Sequence, residues 1–120
     1  MELEEKHLKW YLGTGVQIKH KNSGIYRLSI DQDNSEFISV KTVLETTGCK
    51  LVLKAISALK HKSSSELKAE YGINDDIIFW VQELTNTNTD IKYLTVEAYT
   101  FLLDYHFDIF DFNKKGLAII

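Results

Sequence analysis

The chain has 120 residues, 44% hydrophobic and 26% charged, with a net charge of −3, one cysteine and no proline. That composition suits one globular domain over residues 1–120. It excludes a disordered chain, an internal disulfide, an all-cysteine metal site and a proline-rich linker. No apolar run reaches the roughly 18 residues a membrane helix needs, and the charged opening MELEEKHLKW lacks the apolar stretch of a secretory signal.

Residues 2–9 read as a short amphipathic helix with Leu3 and Leu8 inward. Val16 to Lys21 alternates apolar and polar residues, and Ile25 to Ile30 does so in part. Between them lies HKNSG, in which Gly24 can take positive φ, so the pair reads as a β-hairpin. Phe37 to Val43 is rich in β-branched residues and extends the hairpin into an antiparallel meander. Leu51 to Leu59 fits a short helix, or an extended lead-in followed by one. Ser63 with Glu66 forms a capping box, opening a helix that runs to Tyr71 and stops at Gly72. IIFWVQEL (77–84) is apolar and β-rich and reads as a central strand, with Ile91 to Leu94 paired to it across the polar loop TNTNTD (85–90). Thr95 is an N-cap. After it Val96, Tyr99, Leu103, Phe107 and Phe110 recur at helical spacing, with Asp104, Asp108 and Asp111 on another face. Gly116 ends this aromatic-rich helix and an apolar tail follows. The expected class is α+β: a small antiparallel sheet with helices packed on one face.

The net charge hides an asymmetry. Residues 6–68 carry 11 Lys or Arg against five acids, whereas residues 69–113 carry nine acids against one Lys. The cations are densest at Lys50, Lys54, Lys60, Lys62 and Lys68, with His61 among them as a further candidate contact. Two readings follow. In one, both sets are solvated faces that attract each other in the fold. In the other, the basic segment contacts phosphates or a charged partner, and the acidic face of Asp104, Asp108 and Asp111 enters a positively charged channel. A single arginine argues against bidentate base reading.

A search for chemistry finds no assembled motif, and no enzyme is expected. No two of the four histidines stand three or four residues apart, so no helical pair grips a metal. Cys49 lacks a nearby base and reads as a structural thiol. The DQDN run at 31–34 lacks the glycine and distal glutamate of a calcium loop. Asp75 and Asp76 read as turn residues, and Gly13-Thr14-Gly15 is too short to cradle a phosphate. No metal or cofactor is expected. The aromatics near the C-terminus read as core and not as a base-stacking platform.

Two segments carry a resemblance. YLGTGVQIKHKNSGIYRL (11–28) resembles the opening of a family of small proteins from phages and prophages of Bacteroidetes, in which a Tyr-Leu-Pro-Tyr-Gly-Leu-Lys type segment leads into a hairpin. FLLDYHFDIFDFNKKGLAII (101–120) resembles that family's ending, through His106, Phe107, Asp108, Ile109 and Phe110 and then Gly116, Leu117, Ala118 and Ile119. KLVLKAISAL (50–59) is similar to an internal Leu-Arg-Pro-Leu-Ser type stretch. Gly13 stands where the family often has Pro, and Lys54-Ala55 where it often has Arg-Pro. The resemblance implies a mobile-element origin and no catalytic residues. The resemblance itself implies no activity; it is the mobile-element origin that leads to the expectation of an inhibitor of host defence acting in the cytoplasm of an infected cell. Such an inhibitor binds a CRISPR effector, for instance a type VI-B RNA-guided RNA nuclease, and blocks loading of guide or target RNA. A nucleic-acid-binding accessory module and a virion or assembly protein are the alternatives.

Overall fold

The computed structural model describes residues 2–87 and 89–120, so Asn88 of the TNTNTD loop and Met1 lie outside the described residues. Helix α1 (Glu5–Leu8) is shorter than the expected 2–9; the Glu4 N–H donates to His7 Nδ1 at 2.9 Å, Leu8 is buried within the helix, and Leu3 is buried just ahead of it. Strands β1 (Gln17–His20) and β2 (Gly24–Ser29) form the expected antiparallel hairpin, with Gln17 opposite Arg27 and His20 opposite Gly24.

The third strand is shorter than its β-branched residues suggest. Only Phe37–Ser39 (β3) is extended, and it lies parallel to β2, not antiparallel. The carboxylate of Asp33 accepts from the Ser39 N–H and Oγ, both at 2.9 Å, and so ties the loop across the strand end. Ser39 Oγ then caps helix α2 (Val40–Glu45) by accepting from the Thr42 N–H. A local cap thus overrides strand propensity.

Strand β4 (Lys50–Val52) pairs antiparallel with β1, and the extended lead-in continues to a single 3₁₀ turn at Ile56–Leu59. Helix α3 (Ser64–Tyr71) has the predicted capping box and ends at Gly72, whose φ of 66° is the left-handed value glycine tolerates.

Residues 77–84 are not a strand. They lie inside helix α4 (Asp75–Asn86), which also takes up the start of the TNTNTD run. Asn74 Oδ1 caps it by accepting from the Ile77 N–H, and Asp75 and Asp76 sit in its first turn, where the helix dipole favours acids. Ile77, Ile78, Val81 and Leu84 then face inward at helical spacing. Ile91–Tyr93 is a 3₁₀ turn capped by Asp90, so it pairs with nothing as a strand.

Thr95 caps helix α5 (Val96–Asp104) as expected, but the helix stops at Asp104. His106 takes φ 63°, and Phe107 forms a parallel bridge with Lys54. Its closing bonds are Lys54 N–H to His106 O at 2.8 Å and Asp108 N–H to Lys54 O at 2.9 Å. The tail supplies β5 (Ala118–Ile119), parallel to β4. The protein is therefore α+β, with a five-stranded mixed sheet in the order β3-β2-β1-β4-β5, antiparallel in the middle and parallel at both edges.

Two apolar clusters result. One sits against the sheet and includes Leu8, Tyr11, Val16, Ile18, Leu51 and Leu117. The other lies among the helices and includes Leu67, Val81, Leu102 and Phe107. Leu103 and Phe110 pack against both. Tyr11 is fully buried and joins them as well, its OH donating to Phe107 O at 2.6 Å. Burial pushes that phenol well above its usual range, with Asp108 adding to the shift. Among the described residues, no helix is long and apolar enough to cross a membrane.

Candidate functional site

The basic segment 50–68 does not fold into one uncompensated patch. Lys50 lies on β4 opposite Lys19 of β1, and its Nζ donates to Gly116 O. Lys62 pairs with Glu70, which holds the ammonium above and the carboxyl below their ordinary values. Lys68 pairs with Asp75 at 2.8 Å. Lys54 is exposed at the base of the helical region, with Nζ 5.9 Å from the Tyr105 ring and 5.7 Å from that of Phe107. Lys60 and His61 are exposed in the turn before α3, where His61 takes φ 70°. Part of the charge asymmetry in the sequence is therefore settled internally, by acids of α3 and α4 reaching back to Lys62 and Lys68.

The three aspartates do not share a helical face. Asp104 is the exposed last residue of α5, and Asp111 is exposed with φ 57°. Asp108 is buried: Oδ1 accepts from the Phe112 N–H at 2.8 Å and Oδ2 from the Asn113 N–H at 2.9 Å. It closes a turn. The helical spacing misled because α5 stops at Asp104 and does not run on to Gly116.

Cys49 is buried and its thiol is pushed up by burial, as suits a structural group. The DQDN aspartate Asp33 is committed to Ser39. Among the described residues, no group of three or more His, Cys, Asp or Glu is placed to hold a metal ion.

A different place gathers chemistry. Residues 4–10 and 110–115, from opposite ends of the sequence, line a cleft of about 400 Å³. One wall is aromatic. The Trp10 and Phe110 centroids are 5.3 Å apart at 36°, and Phe110 and Phe112 are 5.3 Å apart at 31°. Tyr99 packs 6.1 Å from both Trp10 and Phe110. His7 meets Phe112 edge-on at 5.3 Å. Burial, with Lys6 next, lowers the His7 pKa, and Nδ1 already accepts from the Glu4 N–H, so the imidazole is neutral and Nε2 carries its proton. The remaining lining is charged: Lys6, Lys9 and Lys115, against Glu4 alone. Lys9 Nζ lies 5.1 Å from the Trp10 centroid and Lys115 Nζ 5.7 Å from that of Phe112.

The sequence assigns the aromatics near the C-terminus to the core, yet Phe110 is only half-buried and Trp10 beside it is 40% exposed. A cue lay in Lys6, Lys9 and Trp10, which recur within one turn. The other wall is a hundred residues away and no local pattern points to it. Comparison with protein-family profiles, with curated proteins and with solved structures finds no match for this chain.

Proposed function

We propose that the protein acts by binding and not by catalysis, as a mobile-element inhibitor of host defence that occupies an RNA-guided nuclease and blocks guide or target RNA. One observation carries the reading. The three segments that resemble the phage family, 11–28, 50–59 and 101–120, come together in the fold. Strand β4 lies between β1 and β5, Lys54 bridges Phe107, and the Tyr11 OH donates to Phe107 O. His106 Nε2 stands 2.8 Å from Thr14 O and donates to it. The resemblance thus falls on one connected structural unit, which supports a shared scaffold and, with it, a shared origin. The exposed Lys54 and Lys60, with the exposed His61 beside them, and the exposed carboxylates of Asp104 and Asp111 offer a polar and charged surface to such a partner.

Pull-down against purified type VI-B and other RNA-guided nucleases, followed by a target-RNA cleavage assay, tests this. The expected result is a stable complex and loss of cleavage, weakened by Lys54→Glu with Lys60→Glu. Absence of binding to every effector, with no protection of phage in infected cells, overturns it. Co-purification with virions assigns the chain to particle assembly instead.

A further inference from the structure

We propose that the cleft between residues 4–10 and 110–115 binds a nucleobase together with its phosphate. The base stacks on the exposed Trp10 and the half-buried Phe110, with the buried Phe112 packed behind them, and the phosphate meets Lys6, Lys9 and Lys115. This does not rest on the inhibitor reading, since it concerns nucleotides in the absence of any nuclease.

Three features fit that ligand. First, every base has a flat π face, and a partly open wall of tilted rings is a surface on which such a face stacks. The wall is braced from behind by Tyr99 and edge-on by the neutral His7, so its shape exists before the ligand arrives. Secondly, three ammonium groups and one carboxylate line the cleft, and Glu4 is already paired with Lys6 at 3.2 Å. Lys9 and Lys115 stand within 6 Å of the ring centroids, and their flexible stems let them swing aside to an adjacent phosphate. The cationic rim continues beyond the cleft, because Lys50 donates to the carbonyl of Gly116, the neighbour of Lys115. Thirdly, the cleft contains no arginine. The only one in the chain, Arg27, lies on β2 beside Glu36. Bidentate reading of base edges is therefore not on offer, and binding depends little on base identity.

Base and phosphate can come from a free nucleotide or from a single strand. A duplex cannot supply them, because its base faces are already stacked on one another.

Fluorescence anisotropy with labelled oligouridine and oligoadenosine of about ten nucleotides, and with a blunt RNA duplex, reads the site directly. Quenching of Trp10 by UMP, in a Trp80→Phe background, reads the free nucleotide. Both single strands are expected to bind, the duplex at least about tenfold more weakly. Raising salt from about 50 to about 200 mM should weaken binding roughly tenfold, as expected for two or three phosphate contacts. Trp10→Ala should lower affinity about 5- to 150-fold, the range for losing one stacked base. Lys9→Gln with Lys115→Gln, both exposed, should reduce the salt dependence with no change in melting temperature, which keeps the test valid if Trp10→Ala misfolds. Lys21→Gln with Lys92→Gln, both exposed and outside the cleft, should leave oligonucleotide and UMP binding unchanged. Affinity that rises with oligonucleotide length assigns the site to strands, and equal affinity for UMP assigns it to free nucleotides. The proposal is overturned by equal binding of duplex and single strand, by indifference to Trp10 or to the Lys9 and Lys115 pair, by dependence on Lys21 and Lys92 instead, or by no binding of any probe.

Discussion

At the scale of single residues, the missing prolines are informative. The two positions where the resembling family carries Pro have opposite backbones here. Ala55 has φ −65° and follows an extended residue, which is the geometry proline imposes. Gly13 has φ 85°, which proline cannot reach. Ala55→Pro should therefore stabilise by about 0.4–1 kcal/mol, through a less flexible unfolded chain. Gly13→Pro should destabilise by more than that, and urea midpoints of the two variants read the difference. Equal shifts would show that the turn at 13–15 rebuilds itself. His7 gives a second residue-level prediction. Its folded pKa lies below the ordinary imidazole value of 6.5, first through burial and then through Lys6 and Lys115, against the opposing charge of Glu4. The unfolded chain thus binds the proton more readily. The His7 contribution is complete above pH 6.5 and is lost as pH falls toward the folded value. Asp33 and Glu70, whose carboxyls are held low by hydrogen bonds, contribute losses only below their ordinary values of 3.8 and 4.5. A melting temperature that drops between about pH 6.5 and 5 in the wild type, and stays flatter in His7→Asn, fits this ordering. Asparagine keeps an acceptor near the Nδ1 position but does not titrate. Identical pH profiles would exclude His7 as the source.

At the scale of elements, the sequence was readable wherever a local signal set the structure. The hairpin around Gly24, the capping box of Ser63 and Glu66, and the Thr95 cap all depend on residues within four positions of one another. The errors came where a short apolar run fits two periods, or where the partner is distant in sequence. IIFWVQEL is rich in β-branched and aromatic residues, and a run of that length does not by itself separate a strand from a buried helix. The Asn74 cap and the acids at 75 and 76 decide the matter, together with inward residues at 77, 78, 81 and 84. The parallel edge strands were illegible for another reason: β5 finds β4 across more than sixty residues, with no turn chemistry to announce the pairing. Helix and strand make opposite predictions for Phe79 and Val81. In a strand they share a face; in α4, Val81 is fully buried and Phe79 is 53% exposed. Val81→Lys should cost about 3–5 kcal/mol by leaving a charge buried without a partner. Phe79→Lys should be neutral or stabilising by about 0.2–0.5 kcal/mol, since the new ammonium stands four residues from both Asp75 and Glu83. Denaturant midpoints that move together by similar amounts would restore the strand.

At the scale of the whole molecule, the helical region is an excursion from the sheet. The chain leaves after β4 at Leu53 and returns through Leu117, whose carbonyl accepts from the Leu51 N–H at 3.0 Å. Most of what lies between is helices and turns around a second apolar cluster, closed at its base by the Lys54–Phe107 bridge and by the Tyr11 hydroxyl on Phe107 O, while Phe112 returns to the cluster against the sheet. The same excursion explains why the candidate cleft was hidden. Its lysines and aromatics meet only because residues 110–115 come back past α1 on the way to β5, a contact that exists in the finished fold and in no window of sequence. The layout sets an order of stability. Helices α3 and α4 can open while β1, β2 and β4 stay paired, because their cluster draws on residues of the excursion. Loss of β4 and β5, in contrast, releases both ends of the excursion at once. Native-state hydrogen exchange should then show the amides of Leu67 in α3 and Ile78 in α4 opening at a lower free energy than those of Leu51 and Leu53, which bond to Leu117 and Ile119. Phe107 is fully buried at the base of the helical cluster, so Phe107→Ala should cost about 3–5 kcal/mol and draw mostly on the first group. If all four amides exchange with one free energy, and Phe107→Ala lowers them equally, the two clusters unfold as a single unit and the sheet has no independent standing.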